Sequence, residues 1–152
     1  MKNHDLTAEQ VRDLRALAGM IIPPSPTYGV PGADDELIFK DILGSLERDH
    51  DDICRALAHL AALAGGAFAD LGPERRTEVA AIFREAGGAS LAVLVRVVLL
   101  CYYRDDRVMR SLGQEARAPF PKGHVVEQGD WSLLDAVRAR PRMYRVVDKS
   151  AR

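Results

Sequence analysis

Ala89 to Tyr103, with the sequence ASLAVLVRVVLLCYY, is the longest apolar run of the chain and decides its fold. A helix that is apolar nearly all round belongs in the interior, so this run predicts a central helix wrapped by the others. It is shorter than the roughly 20 apolar residues that cross a bilayer. Its one charged residue is Arg96, and because an unpaired buried charge is costly, we expect Arg96 to pair with an acid or with carbonyl groups.

The first helix is predicted from a start signal and a stripe. Thr7 and Gln10 match a capping box, in which each side chain accepts a hydrogen bond from the other residue's backbone N–H. The apolar stripe that follows has helical spacing and consists of Val11, Leu14, Leu17 and Ile21. The prolines between residues 23 and 31 then prevent a helix and predict an ordered loop that contains Tyr28 and Val30.

A second helical pattern runs from residue 34 to residue 64. Asp34 or Asp35 is placed to cap its start, and Gly65-Gly66 ends it. Its apolar stripe consists of Ile38, Ile42, Leu46, Ile53, Leu57, Leu60 and Leu63. The stripe passes through the charged residues 47–52, where the spacing fits either one long helix or two helices that meet.

A third helix follows Gly72, since Pro73 stands at the favoured first helical position. Its predicted inward-facing residues are Val79, Ile82 and Phe83. Gly87-Gly88 ends this helix directly before the long apolar run.

The chain changes character after Leu112. Prolines and glycines punctuate residues 113–152, and the pattern there supports only one short helix, Ser132 to Arg140, with Ser132 as its cap. A long segment this poor in regular structure is usually functional or disordered, and its aromatic content argues against disorder.

The sequence therefore predicts an all-α fold in a single domain. Residues 1–112 form a small irregular bundle of about five helices. Residues 113–152 form an extended arm, rich in aromatic residues and proline, that packs on this body, on a partner, or on both.

Composition limits the function classes. The chain has 21 basic and 22 acidic residues and a net charge of -1, so no overall field attracts nucleic acid or an anionic membrane. Its two cysteines, Cys54 and Cys101, are too few for a disulfide framework. The first residues lack the apolar segment of an export signal. We expect a cytoplasmic chain with no membrane insertion.

Residues 49–54 contain the one cluster with catalytic residue types. His50 and Cys54 are four residues apart and share a helix face, but zinc normally needs three or four ligands and His59 lies on another face. A solvated helix face with a core cysteine is the simpler interpretation. Nucleotide, dinucleotide, haem and zinc-protease motifs are absent, so we expect no catalytic, cofactor-binding or metal-binding residue in this chain. A small enzyme or metal-binding protein built on His50 and Cys54 is the alternative.

The end of the chain is basic. Its positive residues are Arg138, Arg140, Arg142, Arg145, Lys149 and Arg152. Binding of single-stranded nucleic acid also uses stacking aromatic residues, of which this stretch has only Tyr144. A solvated or partner-facing tail is favoured over nucleic-acid binding, and a free helical regulatory protein is a further alternative.

Several motifs, in order, resemble the family named for gluconate 2-dehydrogenase subunit 3. The first helix runs into Ile21-Ile22-Pro23-Pro24, the loop Gly29-Val30-Pro31-Gly32-Ala33-Asp34 follows, and the apolar helix ends in Tyr102-Tyr103 before Arg104-Asp105-Asp106. The resemblance covers most of residues 7 to 112. The segment from Pro119 to Trp131 resembles a subgroup pattern of that family.

The resemblance implies a function. The small subunits of that family are helical and carry no cofactor, and their large partner resembles the glucose-methanol-choline flavoproteins, which bind FAD and take hydride from an alcohol carbon. This chain would then be a non-catalytic accessory subunit that stabilises or matures a flavin-dependent sugar or alcohol dehydrogenase. Many relatives begin with a twin-arginine signal, and Met1 to Asp5 shows none, which favours a cytoplasmic complex.

Five aromatic residues are the predicted partner contacts. Tyr102 and Tyr103 lie where the apolar helix enters charged sequence, which suits a buried ring with a reachable hydroxyl, although packing within the chain explains them equally well. Phe120, Trp131 and Tyr144 lie in the arm, where prolines pre-extend the chain and lower the cost of ordering it on a surface. Packing of the arm on its own helices is the alternative there.

Overall fold

The computed structural model describes residues 6–117, 120, 123, 127–141 and 143. Over these residues the fold is all-α, as predicted, with seven α-helices and no β-strand. The chain divides into two compact units, Met1–Arg117 and Ala118–Arg152.

The first unit holds six of the helices. They are α1 (Ala8–Ile21), α2 (Glu36–Gly44), α3 (His50–Ala64), α4 (Pro73–Ala86), α5 (Ala89–Tyr103) and α6 (Asp106–Ser111). Single 3-10 turns, Glu47–Asp49 and Phe68–Asp70, precede α3 and α4. The spacing predicted about five helices for residues 1–112, and it missed α6 because a helix of six residues is too short to show a period.

Local signals at the helix ends of the first unit are confirmed. Thr7 and Gln10 form the complete capping box of α1, with the Gln10 N–H 3.2 Å from Thr7 Oγ1 and the Thr7 N–H 2.9 Å from Gln10 Oε1. Of the two candidate caps, Asp35 is the one that accepts from the first turn of α2. Pro73 opens α4, and Gly65 ends α3 with a φ of 74°, which glycine adopts without strain.

The stretch from residue 34 to 64 forms two helices. α2 ends at Gly44, the turn Glu47–Asp49 redirects the chain, and α3 starts at His50. Leu46 is buried at this break, so the apolar stripe continues into the core although the helix does not.

The core of the first unit is built around α3, which contacts α1, α4 and α5. α5 contacts α3 most extensively and also packs against α2 and α6. The largest fully buried side chains of these helices include Ile53, Leu57 and Leu60 of α3 with Leu94 and Val98 of α5. Full burial of one such side chain stabilises the fold by about 1.5 to 3 kcal/mol.

α5 is not wrapped on all sides, contrary to the prediction. Leu94, Val97 and Val98 are buried, whereas Leu99 and Leu100, on the other side of the helix, are exposed. The prediction was wrong because an apolar sequence shows what a helix can bury, not how much its own chain covers. None of the described helices is alone long and apolar enough to span a membrane; α4 and α5 together would be, but they are bent by 115°.

Ile82 was predicted to face inward and is 46 % exposed. Val79 and Phe83 are the buried residues of α4. Position 82 lies about 60° round the helix axis from Val79, on the side away from Phe83. Because α4 buries only a narrow stripe, Ile82 falls outside it.

The buried acid Asp13 holds α1 against the turn Phe68–Asp70. Its carboxylate accepts a hydrogen bond from the Ala69 N–H at 2.8 Å. On the other side of the turn, Arg76 donates to the carbonyls of Ala69 and Leu71. The turn is therefore fixed by hydrogen bonds from two different helices.

The proline-rich loop between α1 and α2 is ordered, as predicted. Ser25 and Val30 exchange two backbone hydrogen bonds of 3.0 and 3.2 Å, which close an antiparallel bridge. The Ala33 N–H donates to the Ile22 carbonyl at 2.9 Å and closes the loop a second time. Tyr28 is exposed at the tip.

Gly32 is buried where this loop packs most closely. A Cβ at this position would lie 2.5 Å from Asp34 Oδ1 and 3.0 Å from the backbone nitrogen of Pro24. Real Cβ atoms do not approach heavy atoms so closely, and a backbone atom fixed in a proline cannot easily move away. Glycine is therefore required here by lack of space.

The second unit contains a 3-10 turn, Trp131–Leu134, continued by α7 (Asp135–Arg138). The prediction that Ser132 caps this helix is wrong. Asp130 is the cap, and its side chain accepts a hydrogen bond from the Ser132 N–H at 3.0 Å. Both are good capping residues, so the local sequence did not distinguish them.

We expect Gly32→Ala to lower the free energy of unfolding by about 1 to 3 kcal/mol, because the added methyl group must push the loop apart. Urea unfolding followed by circular dichroism measures the change. Gly44→Ala is the matched control, since nothing lies within 4 Å of its added Cβ and alanine favours a helix. Equal stability of the two variants would contradict the assigned packing.

Candidate functional site

The loop between α1 and α2 and the end of α5 meet in the structure. The Tyr102 hydroxyl, at the end of α5, donates to the Pro31 carbonyl of the loop at 3.2 Å. Beside it, Arg107 of α6 bonds to Asp35 at the start of α2. We call this meeting point the loop junction and define it by Pro31, Asp35, Tyr102, Asp105 and Arg107.

The Arg107 guanidinium is shared between two carboxylates. Its Nη2 lies 2.6 Å from Asp35 Oδ1 and 3.0 Å from Asp105 Oδ2. Its Nε donates to Asp105 Oδ1, and its Nη1 donates to Asp35 Oδ2. These hydrogen bonds hold the pKa of Asp35 and of Asp105 below the ordinary carboxyl value, in spite of partial burial, which acts in the opposite direction.

A second arginine ties α5 to α2 nearby. Arg104 donates to both carboxylate oxygens of Asp41 and to the Ser45 hydroxyl. Its Nη2 also lies 3.6 Å from the sulfur of Cys101. Burial raises the pKa of the Cys101 thiol, which lowers the fraction of the nucleophilic thiolate.

The two tyrosines predicted as partner contacts differ in their exposure to solvent. Tyr102 is buried, its hydroxyl bonds inside the first unit, and burial raises the pKa of this hydroxyl. Tyr103 is 53 % exposed and stands edge-on against the Tyr102 ring, with 5.3 Å between ring centroids. Only Tyr103 offers its ring to another molecule at this helix end. The contact role of both residues stays a prediction.

The arm residues predicted as contacts lie in the second unit. Trp131 is 57 % exposed and Phe120 is more exposed still. Tyr144 lies outside the described residues. The three apolar residues predicted for one helix face, Leu133, Leu134 and Val137, are all exposed.

The structure places the residues of the alternative site close together. The Cys54 sulfur lies 3.6 Å from Nε2 and 3.8 Å from Nδ1 of His50, and Asp51 Oδ1 lies 3.6 Å from that Nδ1. Burial, and then the charge of Asp51, raise the pKa of the Cys54 thiol. His59 instead packs edge-on against Phe83. Over the described residues, no group of three His, Cys, Asp or Glu side chains could hold a metal ion.

Arg96 is paired with an acid, as predicted. Its Nη2 donates to Asp49 Oδ2 at 2.8 Å and links α5 to the turn before α3. Its side chain is 41 % exposed, however, so it lies at the edge of the core rather than inside it.

Sequence reasoning missed the exposed aromatic and apolar residues of the first unit. Tyr28, Leu37 and Leu100 were not predicted as contacts and are all well exposed. The sequence of α5 did contain a signal for Leu100. The buried side of α5 already has enough leucine and valine to form one apolar stripe, so further apolar residues of this helix are left over. The apolar residues left over had to face elsewhere.

Arg107 bonds to Asp35 and Asp105, and Tyr102 bonds to Pro31, so the loop junction holds the loop and the ends of three helices together. These bonds act as a structural clamp. No family model, no curated protein and no solved structure matches this chain.

We expect Arg107→Met to lower the free energy of unfolding at pH 7 by about 2 kcal/mol, because two carboxylates lose their partner. Lowered carboxyl pKa values stabilise the fold above the ordinary value of about 4, and this contribution is lost as the pH falls through the folded-state values. The difference in melting temperature between the wild type and Arg107→Met should therefore shrink below about pH 4.

Arg110→Met is the control for this experiment. Arg110 pairs with Asp106 one turn away, and both side chains are largely exposed. Such pairs contribute less than about 1 kcal/mol. If Arg107→Met is no more destabilising than Arg110→Met at pH 7, the clamp does not exist in solution.

Proposed function

We propose that this chain is the non-catalytic accessory subunit of an FAD-dependent sugar or alcohol dehydrogenase complex. The observation that carries the proposal is the loop junction. Two segments that resemble the gluconate 2-dehydrogenase subunit 3 family, about 70 residues apart, meet there through Tyr102 and Pro31. The resemblance therefore falls on residues that contact one another in the fold.

The chemistry of the first unit also supports a binding role. Arg107 and the two acids of the junction are engaged in ion pairs, and the exposed side chains of the unit include large apolar and aromatic ones such as Tyr28, Leu100 and Tyr103. Aromatic side chains are enriched at protein interfaces and dominate their binding energy. Such a surface is suited to another protein.

In the proposed complex the FAD and the substrate site belong to the large flavoprotein subunit. The accessory chain binds the folded flavoprotein and so shifts its folding equilibrium toward the native state. It contributes stability and maturation, and the complex is cytoplasmic. It has no role in hydride transfer.

The arm, residues 113–152, is proposed as an extended contact segment. Phe120, Trp131 and Tyr144 are its anchors, because each ring buries a large rigid surface at low entropic cost. The arm can meet the partner, the helical body, or both.

The second candidate is a metal-binding protein built on His50 and Cys54. The observation in its favour is the 3.6 Å approach of the Cys54 sulfur to the His50 ring. Two side chains are fewer than the three or four ligands that zinc takes from proteins. Metal content of the purified chain decides between the candidates.

We expect the chain purified alone to contain no flavin, haem or stoichiometric metal and to reduce no dye with sugar or alcohol substrates. Absorbance, metal analysis and a dye assay measure this. Co-expression with the proposed large flavoprotein subunit should give a complex that binds FAD and reduces the dye. A cofactor held by the chain alone, with turnover, would refute the accessory role.

The single tryptophan allows a direct test of the arm. We expect the one fluorine resonance of 5-fluorotryptophan at position 131 to shift when the unlabelled flavoprotein is added, because the exposed indole becomes covered. The fluorine resonance of the same labelled chain with Leu43→Ala is the control for changes spread through the fold. An unchanged resonance at saturating flavoprotein would remove Trp131 from the interface.

A further inference from the structure

We propose that the open side of α5 and the groove beside it form a docking trough for an amphipathic helix of a partner protein, with a carboxylate of that helix facing Arg96. The identity of the partner rests on the proposed function, in which the helix belongs to the large flavoprotein subunit. The trough itself follows from the described residues of α1, α4 and α5.

The open side of α5 is a continuous stripe. Residues three and four apart share a side of a helix, and the stripe consists of Ala92, Val95, Arg96, Leu99, Leu100 and Tyr103. Leu100 is 56 % exposed, and Leu99 and Tyr103 are exposed as well. The stripe is therefore mostly apolar and reaches the end of the helix.

Two adjoining concavities extend this stripe into a trough. One, of about 640 Å³, follows α5 from Gly87 to Leu100. The other, of about 580 Å³, lies between α1, α4 and α5 and is lined by apolar residues such as Met20 and Ala80. They share Leu91 and Val95, so they form one surface.

The trough has the size of a helix. α5 has 15 residues, which at 1.5 Å per residue gives a length of about 22 Å, or four turns. A continuous exposed apolar surface rimmed by polar residues is a candidate interaction site. Apolar grooves of this kind receive the apolar side of an amphipathic helix.

Arg96 determines what the docked helix must carry. It lines the trough and gives one Nη2 hydrogen bond to Asp49, while its side chain remains 41 % exposed. Covering it with purely apolar atoms would take N–H donors out of water without acceptors, which is unfavourable. A carboxylate on the partner removes this cost and adds a charge-assisted hydrogen bond.

The same residue argues against a second copy of this chain. In a twofold antiparallel pairing of the stripe from residue 92 to 103, position 96 faces position 99 of the other copy, which is leucine. In a parallel pairing Arg96 faces Arg96. In neither arrangement is the facing residue an acceptor, and the crosslinking experiment below separates a second copy from a partner of different sequence.

Photo-crosslinking in the full-length complex tests the proposal. A benzoylphenylalanine in place of Leu100, in the trough, should crosslink to a helix of the co-expressed flavoprotein that contains an Asp or Glu. A matched probe in place of Arg75, exposed on another side of α4, should not. Mass spectrometry of the crosslinked peptide identifies the helix.

The other possible results of the crosslinking experiment contradict different parts of the account. Co-purification of the flavoprotein without a crosslink from position 100 would overturn the trough and leave the accessory function standing. A crosslink from position 100 to residues 118–152 or to a second copy would also overturn it. Failure of the flavoprotein to co-purify at all would overturn the proposed function itself.

A second test measures the affinity for the flavoprotein after a substitution on the surface of the trough. We expect Leu100→Lys to raise the Kd for the purified flavoprotein about tenfold or more, with an unchanged melting temperature, because a charge is placed at the centre of the contact. Leu43→Lys, at an exposed leucine of α2, is the matched control and should change the Kd less than about threefold. Equal effects of the two variants would overturn the proposal.

Discussion

The Arg107 guanidinium, held between Asp35 and Asp105, is the interaction on which the rest of this arrangement depends. It joins the start of α2 to the start of α6 and closes the chain over 72 positions of sequence. Because α6 follows α5 directly, the same contact fixes the end of α5 beside the proline loop. The positions of Tyr28 and Tyr103 follow from it, since each is carried by one of the two segments that it joins.

The sequence was sufficient for most of the structural signals that lie within one helical turn. The capping box of Thr7, the proline at position 73 and the left-handed Gly65 each specify a helix end through neighbours in the chain. The continuous apolar stripe correctly identified Ile53 and Leu57 as core residues, because helical spacing alone determines which side they share. The all-α class follows from these local rules.

The errors arose where the answer depends on what covers a residue. Ile82 has the spacing of a core residue, but only the narrow stripe of α4 around Val79 and Phe83 is buried. α5 was expected in the centre, and the fold leaves Leu100 open. At the short helix of the second unit, Asp130 and Ser132 were both acceptable caps, and backbone geometry decided.

The candidate site was predicted only in part for the same reason. Tyr102 and Tyr103 were recognised as a pair, and the 100° between successive helix positions puts one inside and one outside. The bonds of Arg107 to Asp35 and of Arg104 to Asp41 join residues 72 and 63 positions apart, for which no local pattern exists. A partner surface is harder still to predict, because its chemistry becomes apparent only when the residues left uncovered by the fold are known.

The central claim is that this chain brings binding surface and no chemistry to a flavoprotein complex. Native mass spectrometry of the complex, isolated through a tag on this chain and dissociated in the gas phase, tests it most directly. The account predicts a released accessory chain with the mass of its polypeptide alone, and FAD on the large chain that remains. A released chain that carries flavin or metal, or a tagged chain isolated with no flavoprotein, would contradict the account.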